Sequence, residues 1–223
     1  MNLARRTMAE ALGTAMLLAA VVGSGISAER LAGGNVAVAL LANTIATGAA
    51  LVALILTFGP ISGAHLNPAV TLSFASQSEI SWRDAMVYCF AQFVGAAVGV
   101  VTANLMFSLP PIFLSRHARG GAAQIFSEFV AIFGLVLVIQ SCAKLQPRMV
   151  AFAVGAYISA AYWFTSSTSF ANPAVTLARS FSDTFAGIRP ADVPMFVVSQ
   201  MGGAVAATLL ARWLIPVRKK EFQ

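Results

Sequence analysis

The sequence predicts an all-α membrane protein with six transmembrane helices and two re-entrant half-helices, arranged as an inverted repeat. Three observations lead to this fold class. The chain is 58 % hydrophobic and only 10 % charged, with a mean hydropathy of +0.80, whereas a soluble domain carries about 25 % charged residues. Apolar runs of membrane-spanning length recur along the chain. The hexapeptide Asn-Pro-Ala-Val-Thr-Leu occurs twice, at residues 67–72 and 172–177.

Six apolar runs account for the full crossings. A transmembrane helix needs about 20 predominantly apolar residues. The first run follows Arg5 and Arg6, as the core of a signal peptide would, but it is long enough to span a bilayer and carries Glu10 near its start. We therefore expect it to be a retained membrane helix. The six runs cover residues 8–27, 36–58, 85–107, 123–142, 149–165 and 194–215.

Each copy of the repeated hexapeptide is expected to begin a short helix. Asn is a favoured N-cap, and Pro suits the first helical turn because its missing N–H would be unpaired there anyway. A polar Gly/Ser turn precedes each copy, and about ten apolar residues follow. Such a helix is about 15 Å long, half of a hydrocarbon core of about 30 Å. Two of them that enter from opposite faces would make one crossing.

The two halves of this single transmembrane domain, about residues 1–108 and 120–223, follow the same order of span, span, half-span, span. Three full crossings per half are an odd number, so the second half is inverted relative to the first. Glu10 and Glu128 lie at equivalent positions near the start of each half. In inverted repeats, short interrupted segments at matching positions indicate the transport site.

The distribution of basic residues predicts the orientation, because cytoplasmic loops carry an excess of Lys and Arg. It places both termini in the cytoplasm, so that the half-helix from Asn67 enters from inside and the half-helix from Asn172 from outside. The inner set is Arg5, Arg6, Arg83, Lys144, Arg148, Arg212, Arg218, Lys219 and Lys220, and the outer set is Arg30, Arg116, Arg119, Arg179 and Arg189.

The meeting point of the two half-helices predicts a conduit for small neutral hydroxylic solutes. Each helix start carries unpaired N–H groups and about half a positive charge, which repels cations and protons. If Asn67 and Asn172 cap their helices with the carboxamide oxygen, both NH₂ groups stay free to donate to a solute. The preceding turns are expected to supply carbonyl acceptors, from Gly63, Ala64 and His65 on one side and Thr168, Ser169 and Phe170 on the other.

These residues resemble the aquaporin and aquaglyceroporin family. The likeness rests on SGAHLNPAVTL, the second NPA, the two glutamates, AQFVGA and MGGA, and it covers almost the whole chain. It implies one pore per subunit, a homotetramer in a lipid bilayer, most simply a bacterial inner membrane, and passive passage of water, glycerol, urea or metalloid hydroxides. We expect no enzyme activity, no cofactor or metal and no nucleic-acid partner.

The resemblance also implies an outer selectivity filter, with one departure from the family. Most members place an arginine three residues after the second motif asparagine, where this chain has Val175. Counting from the motif asparagines implies Thr47, Ala160 and Ser169 as the other positions, with Phe170 in place of Ser169 if the loop is offset by one. A filter without a cation is expected to form a wide, weakly polar mouth.

The continuation NPAVTLARSFSDTFAGI is similar to a bacterial subgroup associated with arsenic resistance, in which the filter arginine is likewise replaced. This likeness implies trivalent arsenic hydroxide or small methylated arsenicals as solutes. Arg179 either sits at the C-terminus of the second half-helix, where a cation is favourable, or reaches the vestibule and attracts oxyanions.

Alternative interpretations remain for the acidic and histidine side chains and for the function. Glu10 and Glu128 are expected to brace the irregular loops, and a proton relay is the alternative. His65 either braces its loop or acts as a titrating gate. A water-selective channel is the nearest alternative function. An ion-coupled secondary transporter is another, since broken helices occur there too, although only the two glutamates are available for coupling.

Overall fold

The computed structural model describes residues 1–215. Within that range the chain forms eight α-helices and two short 3₁₀ turns, the turns at Pro147–Met149 and Pro190–Asp192. The helices are α1 (Leu3–Leu31), α2 (Val36–Ser62), α3 (Pro68–Ser76), α4 (Trp82–Met106), α5 (Ala122–Leu145), α6 (Val150–Phe164), α7 (Pro173–Arg179) and α8 (Val193–Leu214).

Helices α1, α2, α4, α5 and α8 are long and apolar enough to cross a membrane. Most of them extend beyond the predicted apolar runs. Helix α1, for example, begins at Leu3 because the Asn2 side chain accepts a hydrogen bond from the N–H of Arg5. Hydropathy marks only the part of a helix in the hydrocarbon core, whereas a cap marks where the helix begins.

The fifth predicted run corresponds to α6, which is a shorter helix than the others. It has 15 residues, a length of about 22 Å at 1.5 Å per residue, less than the core thickness of about 30 Å. The 3₁₀ turn at Pro147–Met149 leads directly into it. With α6 as the fifth crossing, the bundle has the six spans and two half-helices that the sequence predicts.

Equivalent helix pairs pack alike in the two halves, α1 against α4 and α5 against α8. Glycines allow the two helices of each pair to pack closely against each other. A Cβ atom at Gly95 of α4 would lie 2.2 Å from the carbonyl oxygen of Ala11, and one at Gly203 of α8 would lie 2.5 Å from that of Phe129. Small residues of this kind allow membrane helices to approach backbone to backbone.

One end of the bundle, here called the N-terminal face, holds the start of α1 and the end of α3. Arg6 on α1 forms a salt bridge with Asp84 at the start of α4, with 2.5 Å between Nη2 and Oδ2. Lys144 near the end of α5 donates to the side-chain oxygen of Gln77, which follows α3, at 2.9 Å. The basic residues Arg218, Lys219 and Lys220 of the predicted inner set lie outside the described residues.

The opposite end, here called the far face, holds the end of α7 and the loop between α4 and α5. In this loop the N–H of Ser115 donates to the carbonyl of Ser180, just after α7, at 2.9 Å. Ser182 donates to Asn104 near the end of α4 at 2.7 Å. Helices α3 and α7, nine and seven residues long, therefore run from the middle of the bundle to opposite faces.

Candidate functional site

The two motif asparagines cap the half-helices. The side-chain oxygen of Asn67 accepts from the N–H of Ala69 at 2.9 Å. That of Asn172 accepts from the N–H groups of Ala174 at 3.0 Å and Val175 at 3.3 Å. Both asparagines have extended backbone, as an N-cap residue does. The starts of α3 and α7 are thereby held in the middle of the bundle.

The amide nitrogens of these asparagines are not entirely free, which corrects the expectation from the sequence. Asn67 donates to the carbonyl of Ala171 and Asn172 to the carbonyl of Leu66, both at 2.8 Å. Each NH₂ group has two hydrogens, so one of them joins the opposite loop and one stays available. The crossed pair of hydrogen bonds fixes the two helix starts against each other.

The loops that precede the asparagines have the same unusual backbone. Residues three and one before each asparagine have positive φ: 47° and 49° at Ala64 and Leu66, 51° and 47° at Ser169 and Ala171. Left-handed backbone costs a non-glycine residue about 1–2 kcal/mol, and such strain persists only where the surroundings impose it. The repetition of this conformation in both loops indicates that it belongs to the site.

Glu10 holds the first loop in this conformation. Its carboxylate accepts from the backbone N–H groups of His65 at 3.0 Å and Leu66 at 2.7 Å. It also accepts from the Ser62 hydroxyl at 2.6 Å and from the Gln92 amide at 2.8 Å. The glutamate is fully buried, and these four donors compensate its lost hydration.

Glu128 does the same for the second loop. It accepts from the N–H groups of Phe170 and Ala171, each at 2.9 Å, and from the Gln200 amide at 2.6 Å. This carboxylate is also fully buried, and neither Glu10 nor Glu128 lines the cavity described below. The geometry is that of two braces, and it offers a permeating solute no contact with either carboxylate.

Gln92 and Gln200 complete the braces, a role that was not predicted from the sequence. Gln92 donates to the hydroxyl of Thr71 at 2.9 Å, and Gln200 to that of Thr176 at 2.8 Å. Each threonine donates in turn to the carbonyl of its motif asparagine. The threonine at the fifth position of the hexapeptide thus links the glutamine of the brace to the asparagine that caps the half-helix. The signal was present in the matching segments QFVGA and QMGGA of α4 and α8.

A cavity of about 500 Å³ passes the two caps. Asn67 and Asn172 expose 4 % and 5 % of their surface there. The carbonyl-bearing turn residues Gly63, Ala64 and His65 line it, as do Thr47, Ser169, Phe170 and Val175. Most of the remaining wall is aliphatic, with Leu17, Val21, Leu51, Leu135, Val154 and Ile158.

Most of the ionisable residues of the cavity wall are basic. The basic ones are His65, Arg148 and Arg179; Tyr162 is a weak acid that is neutral near pH 7, and the described part of the chain contributes no Asp or Glu to the lining. His65 lies in the first loop with its ring stacked on Phe74, at 4.9 Å between centroids, and its Nδ1 3.1 Å from the Thr71 hydroxyl. Among residues 1–215, no three His, Cys, Asp or Glu side chains are grouped so as to hold a metal ion.

The structure corrects two of the predicted positions. Ala160 is exposed on the outer side of α6 with Ala156 and Trp163, four residues before it and three after it, and does not line the cavity. Ile158 and Tyr162 line it instead, and the Tyr162 hydroxyl lies 3.2 Å from that of Thr47. Counting back from Asn172 crosses a non-helical loop, which does not preserve helical register.

Thr168 is the second correction. It was expected to line the path with its carbonyl, but it is half-buried beside the cavity and does not contribute to the wall. Its hydroxyl accepts from Nη1 of Arg119 at 3.3 Å. Ala171, three residues later in the same loop, has positive φ and lines the cavity instead.

Arg119 reaches inward from the far-face loop and ties several backbone carbonyls together. Nε donates to Gly187 at 2.7 Å, Nη1 to Ser167 at 3.2 Å and Nη2 to Phe185 at 3.3 Å. Burial lowers the pKa of this guanidinium to about 10, so it remains protonated at neutral pH. The sequence gave it only as a basic residue of an outer loop.

Arg179 lies in the cavity wall, although it is the last residue of α7. It exposes 2 % of its surface, and its guanidinium carbon lies 3.5 Å from the ring centroid of Phe170. Its Nε donates to the carbonyl of Ala186. Arg179 is therefore both a cation at the C-terminus of α7 and part of the cavity wall, and its attraction for oxyanions stays a prediction.

Comparison with known proteins identifies the family to which the chain is similar. The profile of the family described as "Major intrinsic protein" matches residues 1–149 and 140–222. Aquaglyceroporin AqpS of Rhizobium meliloti (strain 1021) is 56 % identical over 214 residues, which cover 96 % of this chain and 91 % of the relative. Aquaporin NIP1-4 of Oryza sativa subsp. japonica is 34 % identical over 210 residues, 89 % of this chain and 72 % of the relative.

The fold is also that of a solved structure. The X-ray structure of the aquaglyceroporin from Plasmodium falciparum superposes with a TM-score of 0.74 and covers 96 % of this chain and 97 % of its own. The sequence identity is 24 %, so this likeness concerns the fold alone.

Proposed function

Because the chain belongs to the major intrinsic protein family, a family of membrane channels for small solutes, we propose that it passes glycerol-like polyols, urea and water passively. The observation that carries the proposal is the pair of caps on the cavity wall. Asn67 and Asn172 each keep one amide hydrogen for a solute while the other holds the opposite loop.

The physical chemistry of the cavity suits a neutral solute with hydroxyl groups. Two helix N-termini that meet in the middle of the membrane create a positive potential that a cation cannot cross without loss of its hydration. A polyol accepts from the asparagine amides and donates to the carbonyls of the turns, while its carbon backbone contacts the aliphatic wall. The cavity has a volume of about 500 Å³, enough to hold a polyol beside its wall.

The absence of carboxylates from the described cavity wall favours a passive channel over an ion-coupled transporter. Coupling needs an ion site along the path. Glu10 and Glu128 lie off the cavity, and their oxygens accept hydrogen bonds from the loops. Neither group is available to a driving ion.

Trivalent arsenic hydroxide and small methylated arsenicals belong to the same proposal. They are small neutral hydroxylic species, and the 56 % identical relative is named an aquaglyceroporin. Val175 stands on the cavity wall where most of the family has an arginine, and valine has less bulk than arginine and no donors. A filter with valine at this position is wide enough for such solutes.

For the assembly we propose a homotetramer in a bacterial inner membrane with both termini in the cytoplasm. The N-terminal face carries Arg5, Arg6, Arg83, Lys144 and Arg148, the excess that cytoplasmic loops have. Large apolar side chains on the outside of the bundle, such as Phe90, Val98 and Leu209, suit contact with lipid or with neighbouring subunits.

Stopped-flow light scattering on proteoliposomes tests the proposed function. Vesicles that contain the protein are expected to shrink and re-swell faster than empty ones in glycerol and urea gradients, and to take up arsenite. Flux must end when the gradient is spent. Water flux without glycerol flux would instead establish a water-selective channel, and accumulation of solute driven by protons or sodium would establish a coupled transporter.

The filter is tested by Val175→Arg, with Val175→Leu as a control that adds bulk without charge. The arginine variant is expected to lower glycerol and arsenite flux at least tenfold and water flux less, because a guanidinium narrows the path. The leucine variant is expected to lower them only modestly. Glycerol and arsenite flux that is unchanged in the arginine variant would remove position 175 from the constriction.

A further inference from the structure

The guanidinium of Arg179 forms no salt bridge with a described carboxylate. The salt bridges among the described residues join Arg6 to Asp84 and Arg189 to Asp192, both away from the cavity. Its neighbour Arg119, 5.0 Å from the same Phe170 ring, is itself a cation. A buried charge is normally paired, so an unpaired one in a cavity wall indicates a use.

The hydrogen bonds of the two arginines differ. All three guanidinium nitrogens of Arg119 donate to carbonyls of the far-face loops. In the described part of the chain, Arg179 donates through Nε alone, to Ala186. Since Arg179 lines the cavity, its two Nη groups are left for a solute.

The small exposed fraction of Arg179 does not argue against this role. It exposes 2 % of its surface, close to the 4 % of Asn67 and the 5 % of Asn172, which also line the cavity. A narrow path touches only a few atoms of each wall residue. Phe170, with its ring against the guanidinium carbon at 3.5 Å, holds the plane of the group in place.

Helix geometry brings Arg179 back toward position 175. The two residues are four apart, hence on the same face of α7 and one turn, about 6 Å, from each other. Side chains on a helix tilt toward its N-terminus, so a long side chain at 179 lies over the turn that contains 175. The short side chain of Val175 leaves that space open.

We propose that Arg179 supplies, from one turn further along α7, the guanidinium that position 175 lacks, as a specificity-determining donor and cation barrier at the far-face mouth. It donates to solutes with paired oxygen acceptors, such as vicinal diols and small oxyacids, whose geometry a guanidinium matches. The inference rests on the proposed function. Val175 then sets the width of the mouth, and Arg179 sets its polarity.

The test uses the full-length protein in proteoliposomes with an entrapped pH dye, and measures proton and sodium leak beside glycerol, urea and water flux. Arg179→Leu is expected to raise the cation leak at least tenfold and to lower the ratio of glycerol to water flux. Arg179→Lys is expected to keep cations out, whereas Arg179→Gln, of similar polarity but neutral, is expected to let them through. The double variant V175R/R179L, in which the arginine is moved back by one turn, is expected to restore cation exclusion.

Arg116→Gln is the matched control, because it removes an exposed positive charge from the same face without contact with the cavity. It is expected to leave every flux unchanged. If Arg179→Leu does not assemble, the cation leaks of Arg179→Lys and Arg179→Gln are compared with each other, since both replacements are polar. Equal cation leak in those two variants and in the wild type would overturn the inference while leaving the proposed function intact. A wild type that passes no solute would overturn both.

Discussion

At the residue scale, each motif asparagine divides its side chain between three tasks. The oxygen caps a half-helix, one amide hydrogen binds the carbonyl of the opposite loop, and the second hydrogen is left for a solute, since both asparagines line the cavity. No other side chain of similar size combines an acceptor with two donors. The identity of the two hexapeptides follows from this demand, because the same tasks are repeated in each half.

Asn172→Asp tests the donor and the potential at this point. Aspartate still caps α7, but it puts a negative charge where the helix dipoles exclude cations and removes the donor to Leu66. The expected result is a proton and sodium leak at least tenfold above wild type. Asn172→Ser is the control, since serine also caps a helix but carries no charge. A leak that is equal in both variants would show that loss of the cross-loop hydrogen bond, and not charge, is responsible.

At the element scale, the half-helices depend on braces that come from other helices. Glu10 on α1 and Gln92 on α4 hold the loop before α3, while Glu128 on α5 and Gln200 on α8 hold the loop before α7. Without them, four strained residues and several buried N–H groups would have no support. These glutamate and glutamine side chains stabilise the strained loops, although they do not contact the solute.

Glu128→Gln weakens a brace at nearly constant volume. An amide NH₂ then faces a backbone N–H that had an acceptor, and a buried donor without a partner costs about 1–3 kcal/mol. We expect a lower thermal unfolding midpoint in detergent and lower glycerol flux. Glu29→Gln, at an exposed position on α1, is expected to leave the midpoint unchanged. A midpoint equally unaffected in Glu128→Gln would contradict the bracing role.

Close packing of α5 and α8 gives a second prediction at this scale. A Cβ at Gly203 would lie 2.5 Å from the carbonyl oxygen of Phe129, whereas a Cβ at the neighbouring Gly202 would meet nothing nearer than 3.7 Å. Gly203→Ala is therefore expected to destabilise the protein, while Gly202→Ala is neutral or stabilising because alanine favours helix by about 1 kcal/mol. Thermal unfolding of the two variants in the same detergent checks this, and equal midpoints would count against the crossing geometry.

At the scale of the whole molecule, the inverted repeat makes the conduit nearly symmetric in chemistry but not in charge. Both halves supply a cap, a strained loop and a brace. The two arginines of the wall differ in burial, since Arg148 near the N-terminal face is exposed and Arg179 near the far face, where α7 ends, is buried. A wall with basic residues and no described carboxylate favours neutral solutes over cations.

The proposed orientation is tested by labelling single cysteines in a background without Cys89 and Cys142. Arg116→Cys on the far face is expected to react in intact cells with a membrane-impermeant thiol reagent, and Arg83→Cys on the N-terminal face is not. Both positions are exposed, so permeabilised cells should label both. The reverse pattern in intact cells would place the termini outside.

The helices and their order could be predicted from the sequence alone, because the signals involved are local. Apolar length fixes a span, an Asn-Pro pair fixes a helix start, and an odd number of spans per repeat fixes the inversion. The family resemblance, the capping role of the asparagines and the bracing role of the two glutamates were also predicted without the structure. Helix α1 begins before its apolar run, because its N-cap Asn2 is polar and a hydropathy pattern does not detect a polar cap.

The side chains that reach the cavity could be identified only from the folded arrangement of the helices. Ala160 faces outward and Tyr162, two residues later on α6, faces inward, and a count back from Asn172 across the non-helical loop does not predict which of them reaches the cavity. Arg179 lines the mouth because its long side chain folds back over Phe170. The matching segments of α4 and α8 mark Gln92 and Gln200, but only the tertiary structure shows their contacts with Glu10 and Glu128. Such contacts join residues that are far apart in the chain, and no local pattern records the direction in which a side chain points.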